Sequence, residues 1–298
     1  MRLLELVPLE GRAVLEVDGA DARSFLQGLV TNDVRKLAAD RALWAALLTP
    51  QGRCLFEFAM VADGARILLE AERARCEELA RRLAFYRLRA AVEIADRSTA
   101  WTVVALPDPA AAERFELPLE RGACRALEDA ILFVDPRLAA MGVRGLVRRE
   151  ALDRFLARHG LVLGEPAAYE RHRLELGVPE GAIDLPPQKA LPLEADLDAL
   201  DAISFDKGCF VGQELTARME HRGLVKKRLV PVRVTGPLPP PGTPVRQGER
   251  EVGDVRSGLD GRALALVRLE ALGGGPLTAD GATLEPVLPA WLREEIAP

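Results

Sequence analysis

One cysteine has neighbours in the sequence that could support chemistry. Cys209 lies between two glycines, Gly208 and Gly212, and two residues after Lys207. The polar run that follows ends at Arg218. Cations close to a cysteine lower the pKa of its thiol, and glycines let the backbone turn sharply enough to leave the sulfur accessible. A helix that begins near Gly212 would favour the thiolate through its free amides. The alternative is a cysteine packed beneath a turn, and residue chemistry alone leaves both interpretations open.

The residues around this cysteine resemble a known motif, K-G-C-[FY]-x-G-Q-E of the YgfZ family. The matching octapeptide is Lys207, Gly208, Cys209, Phe210, Val211, Gly212, Gln213 and Glu214. The family consists of folate-binding proteins that are related to the glycine-cleavage T-protein, an aminomethyltransferase, and are needed to assemble or repair iron–sulfur enzymes. The resemblance implies that Cys209 and Lys207 are the reactive residues, with the rest of the octapeptide and Arg218 as supporting motif residues.

Other segments agree in order with the same superfamily. They are residues 25–33 (F-L-Q-x-L-x-T-N-D), 50–53 (the following turn), 173–179 (R-x-E-x-G) and 191–195 (P-x-E-A). Residues from about Trp101 to His159 carry no motif that can be placed. The resemblance therefore extends over most of the chain, and the octapeptide is its most specific part.

The resemblance also implies a site for tetrahydrofolate or another folate derivative. A fixed carboxylate can accept the adjacent N–H groups of a pterin ring, which makes Glu175 the predicted anchor and Glu194 the second choice. Arginine suits the anionic tail of folate, so Arg173 is a further candidate, and Asn32 lies in a segment that shapes the folate cavity in the superfamily. Without the resemblance, residues 169–176 are typical of a solvated, salt-bridged helix face, and Asn32 of the end of an element.

Whether the protein is an enzyme stays open at this point. A T-protein would carry aspartates soon after the glycine turn, and here the corresponding positions hold Leu55 and Phe56, which can neither accept a proton nor pair with a cation. Glu57 lies next to them. We therefore predict an accessory protein that is not a true aminomethyltransferase. The alternatives are a folate-dependent one-carbon transferase and an interaction scaffold whose folate cavity has decayed.

The composition is that of an ordinary soluble protein, with 298 residues, 49% hydrophobic and 29% charged side chains and a net charge of −5. This acidic balance argues against direct nucleic-acid binding, and no apolar stretch is long enough to span a membrane. The start of the chain does not read as a signal peptide, so a cytoplasmic location is expected. Cys54, Cys76 and Cys124 are scattered and are expected to be buried, and no metal site is predicted.

The pattern of apolar residues predicts the elements that position these groups. Strands and helices alternate with hairpin-type turns up to His221, which favours an α+β region with largely antiparallel sheets. Short β-like runs separated by Gly, Pro and Asp follow it, as in a small β-barrel. The T-protein resemblance implies the same division, which we place at residues 1–222, with room for two ferredoxin-like units, and at 223–298.

A single thiolate cannot hold a stable iron–sulfur cluster, because such clusters usually take about four ligands. The expected partners are therefore iron–sulfur client or assembly proteins, including the enzymes of tRNA modification, together with folate as the small molecule.

Overall fold

The structure is a computed structural model that describes residues 3–296. Its contacts divide the chain into two compact units. The first unit comprises the chain up to Leu48, Phe56–Tyr169 and Asp201–Val211, and the second comprises Thr49–Leu55, Glu170–Leu200 and the chain from Gly212 onward. Residues 170–200 and 212–222 thus group with the C-terminal part, although the sequence was divided after residue 222. That division stays a prediction about separately folding domains.

The strands before residue 164 are β1 (Leu4–Pro8), β2 (Arg12–Asp18), β3 (Leu43–Leu48), β4 (Cys54–Asp63), β5 (Arg66–Glu72), β6 (Glu93–Asp96), β7 (Trp101–Leu106), β8 (Cys124–Ala126), β9 (Ala130–Val134), β10 (Val143–Arg148) and β11 (Leu161–Leu163). The later strands are β12 (Lys227–Thr235), β13 (Pro244–Gln247), β14 (Arg250–Leu259), β15 (Arg262–Arg268), β16 (Leu277–Ala279) and β17 (Ala282–Pro286). The helices are α1 (Ala22–Gln27), α2 (Cys76–Arg87), α3 (Ala110–Arg114), α4 (Leu152–His159), α5 (Pro166–Leu176), α6 (Gly181–Asp184), α7 (Gln213–His221) and α8 (Ala290–Ile296).

The first unit contains two sheets that share an apolar core. Their strand orders are β3-β4-β5-β2-β6 and β11-β1-β7-β10-β9-β8. Neighbours such as β2 and β5 or β7 and β10 run antiparallel, whereas β1 and β11 run parallel. Successive side chains of a strand point to opposite faces. Val103 accordingly packs with Val61 and Leu68 of the other sheet, while its neighbour Val104 packs on the opposite side with Phe155 of α4.

The second unit contains a closed barrel with the strand order β12-β15-β14-β13-β16-β17. Its interior is filled by small and branched side chains, including Val232, Val255 and Val267. Gly253 is required where β14 pairs with β15, because a β carbon at this position would lie 1.9 Å from the carbonyl oxygen of Leu266. The predicted combination of mixed, largely antiparallel sheets with helices and a C-terminal barrel is confirmed.

Candidate site around the exposed cysteine

Cys209 lies in a loop of the first unit, residues 201–211, that forms neither helix nor strand. The structure describes all four cysteines, and Cys209 is exposed whereas Cys54, Cys76 and Cys124 are buried. Burial raises the pKa of Cys76 to about 11 and that of Cys124 to about 12, so both remain protonated thiols near neutral pH. Among the four cysteines, all within the described residues, only Cys209 has a thiol that a partner molecule can reach directly.

Lys207 anchors this loop from within. Its buried ammonium donates to the carbonyl oxygens of Val30, at 2.6 Å, and Asn32, at 2.7 Å. The same nitrogen lies 5.3 Å from the centroid of the Phe210 ring, close enough for a cation–π contact. Burial lowers the pKa of Lys207 to about 8. Lys207 thus connects the cysteine motif to the turn after α1.

Gln27 makes a second connection between the same two segments. Its side-chain amide donates to the carbonyl oxygen of Lys207, at 3.3 Å, and to Asp33 Oδ1, at 3.0 Å. Its carbonyl oxygen accepts from the backbone amide of Val34 at 2.7 Å. Hydrogen bonds from Arg35 lower the pKa of Asp33 to about 2, so this carboxylate stays charged and continues to accept. Gln27 was quoted within a sequence motif but was not predicted as a site residue.

Thr31 makes a third connection, also missed at the level of the sequence. Its hydroxyl donates to the carbonyl oxygen of Ala202 at 2.6 Å, and its own carbonyl oxygen accepts from the Ser204 amide at 3.0 Å. The signal was present in the T-N-D segment, where a threonine between apolar residues and an Asn-Asp pair is suited to bonding with the backbone. The turn at residues 30–33 and the cysteine loop are therefore held together as one site.

Asn32 belongs to this site, but its side chain is occupied. Its Nδ2 donates to the carbonyl oxygens of Trp44, at 2.8 Å, and Asp201, at 2.6 Å, and its Oδ1 accepts from the Asp33 amide at 2.8 Å. These contacts fix the turn next to Lys207. A direct contact of Asn32 with folate stays a prediction.

The last three residues of the octapeptide, Gly212, Gln213 and Glu214, lie in the second unit. Gly212 has a φ of +82° and is the N-cap of α7, so a helix does begin at this glycine. Gln213 and Glu214 form its first turn, and Arg218 pairs with Glu214 at 2.6 Å on the exposed helix face. The partner of the Arg218 guanidinium is thus a carboxylate on its own helix, and its effect on the cysteine stays a prediction.

Arg173 and Glu175 lie on α5 but differ in environment. Arg173 is buried and donates to Glu170, to Asp184 at 2.8 Å and to the carbonyl oxygen of Val178 at 3.2 Å. Glu175 is exposed and lies 3.5 Å from Arg262. The guanidinium of Arg173 therefore stabilises the fold of its own segment, and its predicted contact with folate is not tested by these bonds. The Glu175 carboxylate remains accessible.

Glu194, the second predicted pterin anchor, faces a cavity of about 480 Å³ within the second unit. Its carboxylate makes no hydrogen bond or ion pair with any residue in the range 3–296, and burial raises its pKa. The sequence ranked Glu175 ahead of it, but the cavity is next to Glu194.

Glu57, the carboxylate next to the two positions where a transferase would carry aspartates, makes contacts within the protein. Leu55 and Phe56 are buried, and Glu57 accepts from Arg12 at 2.5 Å and from the indole nitrogen of Trp44 at 2.8 Å. Arg12 also bonds to Glu70, which pairs in turn with a further arginine of the first unit, Arg144. Glu57 therefore belongs to a buried network of charges and not to an open catalytic position.

Two absences apply to the described part of the chain. Between residues 3 and 296, no three His, Cys, Asp or Glu side chains are grouped so that they could hold a metal ion. Over the same residues, no helix is both long and apolar enough to cross a membrane.

Comparison with known proteins shows to which family this chain belongs. The human "Iron-sulfur cluster assembly factor IBA57, mitochondrial" is 38% identical over 95% of this chain and 84% of its own length. The chain belongs to the IBA57 family. The mouse protein of the same name is 36% identical over 89% of this chain and 78% of its own length. The relationship predicted from the motifs is confirmed at the level of the wider YgfZ-like family, although the motifs did not single out IBA57 within it.

Two further comparisons concern the fold of this IBA57-family chain. The family described as "CAF17, C-terminal beta-barrel domain" matches residues 226–294, which include all the barrel strands. The crystal structure of glycine cleavage system aminomethyltransferase T from Bartonella henselae has a TM-score of 0.79 and 17% identity, and the match covers 98% of this chain and 87% of that one. The T-protein fold is confirmed.

The expected cytoplasmic location is wrong by the same comparisons. Human, mouse and fungal members of the IBA57 family that match this chain are named as mitochondrial proteins. Composition and the first residues, on which the expectation rested, do not distinguish one compartment from another.

Proposed function

We propose that this protein is an accessory factor for the assembly or repair of iron–sulfur cluster enzymes, in which Cys209 contacts the cluster cargo. The observation that carries the proposal is the exposure of Cys209 on a loop that Lys207 anchors, while the other three cysteines are buried. Relatives named as iron–sulfur cluster assembly factors support the same role.

The contact of Cys209 with its cargo is shared or transient. Iron–sulfur clusters are usually held by about four ligands, and a single thiolate supplies one. The described residues 3–296 offer no group of three ligands that could complete a site. The other ligands must come from a partner, so the cluster or persulfide is a substrate that passes through, and the partners are client or assembly proteins.

We assign to tetrahydrofolate, or a folate derivative, the role of bound cofactor. The chemistry of the available carboxylates supports this fit. Glu194 faces a cavity without a partner among residues 3–296, and Glu175 is exposed. Asn32 and Arg173 already use their hydrogen-bonding groups within the protein, so they would contribute by fixing the neighbouring backbone. Tetrahydrofolate, when bound, would supply a reduced ring that can give up electrons.

The test is activation of a purified client enzyme that lacks its cluster, by a cluster-loaded donor protein, with and without this chain. We expect the wild-type chain and Cys124→Ala to accelerate activation, and Cys209→Ala to lose the acceleration. Equal acceleration by Cys209→Ala would contradict the role of the thiol. Stoichiometric iron and sulfide in the isolated chain, purified without oxygen, would contradict a shared contact. Calorimetric titration with tetrahydrofolate tests the cofactor separately.

A further inference from the structure

The C-terminal end of α2 exposes two large apolar side chains. Phe85 is 73% exposed and Leu88, the C-cap residue, is 89% exposed, the two highest values among the large apolar side chains of residues 3–296. The buried face of α2 is formed by other residues, Cys76, Leu79 and Leu83. Side chains three positions apart lie on the same side of a helix end, so Phe85 and Leu88 together form one apolar surface.

Packing within the protein does not explain Leu88. It has a φ of +46°, a backbone conformation that costs a leucine free energy and that glycine adopts readily. The chain nevertheless holds this turn in place, because the carbonyl oxygen of Arg87 accepts from the Ala90 amide at 2.8 Å and the Asp21 carboxylate accepts from the Ala91 amide at 2.8 Å. A leucine is thus kept at a strained, exposed position where it buries almost nothing.

Arginines accompany these two side chains. Residues 79–92 contain four arginines and no acidic residue, although the whole chain has a net charge of −5. The four are Arg81, Arg82, Arg87 and Arg89. Arg81 pairs with Glu77 at 3.6 Å, whereas the guanidinium groups of the other three form no hydrogen bond or ion pair with any residue in the range 3–296. These three arginines, together with Phe85 and Leu88, are called the arginine-rich tip.

The chemistry of the arginine-rich tip fits an anionic lipid surface better than an acidic peptide. Protruding apolar side chains can enter the boundary between headgroups and acyl chains without a matching pocket, and arginines beside them attract anionic headgroups. A peptide would need a groove that receives its own side chains. The concave surface beside Leu88 is lined by Asp18 and Glu93 as well as by arginines, so an acidic peptide seated in it would meet like charges.

We propose that the arginine-rich tip docks this protein reversibly on a membrane surface that carries anionic lipids. Phe85 and Leu88 enter the headgroup boundary, and the three arginines lie at the level of the lipid phosphates. Two apolar side chains and three cations give weak binding that salt reduces, because exposed charges are screened. This docking is independent of the role of Cys209.

Co-sedimentation of the full-length chain with large unilamellar vesicles tests the docking. The probes are vesicles of phosphatidylcholine alone and vesicles that also contain about 30% phosphatidylglycerol, at about 0.1 M and about 0.5 M salt. We expect the wild type to bind only the anionic vesicles, and at least about tenfold more weakly at the higher salt concentration. Phe85→Ala combined with Leu88→Gly should weaken binding at the lower salt concentration by at least about tenfold, and Arg87→Gln combined with Arg89→Gln by a similar factor.

Two control variants lie elsewhere on the surface. Leu163 of β11 is 61% exposed, and Arg233 of the barrel pairs with Glu285 on the surface. Leu163→Ala and Arg233→Gln should both bind the anionic vesicles like the wild type. Glycine is compatible with the positive φ of Leu88, so Leu88→Gly should leave the melting temperature at or above that of the wild type and exclude misfolding as the cause of weaker binding.

Binding to anionic vesicles that both double substitutions weaken, and that both controls retain, supports the docking. Failure of the wild type to sediment with anionic vesicles at the lower salt concentration overturns it, as does equal binding by the wild type and the double variants. If the double variants bind vesicles like the wild type but slow client activation, the arginine-rich tip contacts a protein and the lipid docking is overturned. The role of Cys209 is judged by client activation with Cys209→Ala, which should bind vesicles like the wild type.

Discussion

The ammonium nitrogen of Lys207 lies 2.7 Å from the carbonyl oxygen of Asn32, a residue 175 positions earlier in the chain. Together with the bond to Val30, this contact ties the loop that carries Cys209 to the turn after α1. Lys207 thus holds the cysteine loop in place, a role that its position two residues before Cys209 did not suggest. The exposed thiol is presented by a loop whose base is fixed.

Lys207→Met should destabilise the protein by about 1–3 kcal/mol, because two buried carbonyl oxygens lose their donor. The free energy of unfolding in urea measures the effect. Lys189→Met is the matched control, since Lys189 is exposed, and it should change stability by less than about 0.5 kcal/mol. Equal stabilities of the two variants would contradict the anchoring role.

The stability conferred by Lys207 should also depend on pH. Burial lowers its pKa from 10.5 to about 8, so between these pH values the unfolded chain binds more protons at this residue than the folded chain. The contribution of Lys207 to the free energy of unfolding therefore rises with pH across this window and is constant below it. The stability of the wild type minus that of Lys207→Met, followed by urea denaturation from pH 7 to pH 10.5, should increase. A flat difference would show that the folded protein leaves this pKa at its ordinary value, and a falling difference would show that it raises the pKa; either result contradicts the prediction.

The native protein should show one thiol that reacts rapidly with Ellman's reagent. Cys209 is exposed, whereas Cys54, Cys76 and Cys124 are buried, and the pKa values of Cys76 and Cys124 are raised to about 11 and about 12. Cys209→Ala should remove the rapid phase, and the other thiols should react only after unfolding. A rapid phase that survives this substitution would mean that another cysteine is accessible.

Glu57→Ala should destabilise the protein by about 3 kcal/mol, because it removes a buried carboxylate that pairs with Arg12 and accepts from Trp44. Glu285→Ala is the control, since Glu285 pairs with Arg233 on the surface and such pairs contribute about 0–1 kcal/mol. Urea denaturation of both variants gives the comparison. The transferase alternative predicts a different result, namely an unchanged stability of Glu57→Ala with loss of methylene-tetrahydrofolate release.

The sequence predicted secondary structure where the pattern of apolar residues lies within one short segment. Apolar periodicity predicted alternating strands and helices up to His221 and short β-like runs after it, and the structure has both. Periodicity cannot define strands such as β8, β11 and β16, because each has only three residues, too few for a repeating pattern to be visible.

Contacts between residues that are distant in the sequence could not be predicted. Lys207 contacts Val30 and Asn32 because the folded chain brings the cysteine loop back to the turn after α1. No rule of sequence spacing connects residues so far apart. The same limit applies to Arg173, whose pairing with Asp184 depends on the turn between α5 and α6, and to Glu194, whose cavity is formed by outer-face residues of the barrel. Residue types identified the candidate site residues, and only the fold showed which of them already bond to other groups of the protein.

The most direct test of the central role of Cys209 is the activity of a cluster-dependent enzyme, such as a tRNA methylthiotransferase, in cells that lack this protein. The cells would be supplied with wild type, with Cys209→Ala, or with Cys124→Ala as a control for the loss of a buried thiol, at equal protein levels. We predict that wild type and Cys124→Ala restore the activity and that Cys209→Ala does not. Equal restoration by Cys209→Ala would contradict the role of the exposed thiol in iron–sulfur cluster assembly.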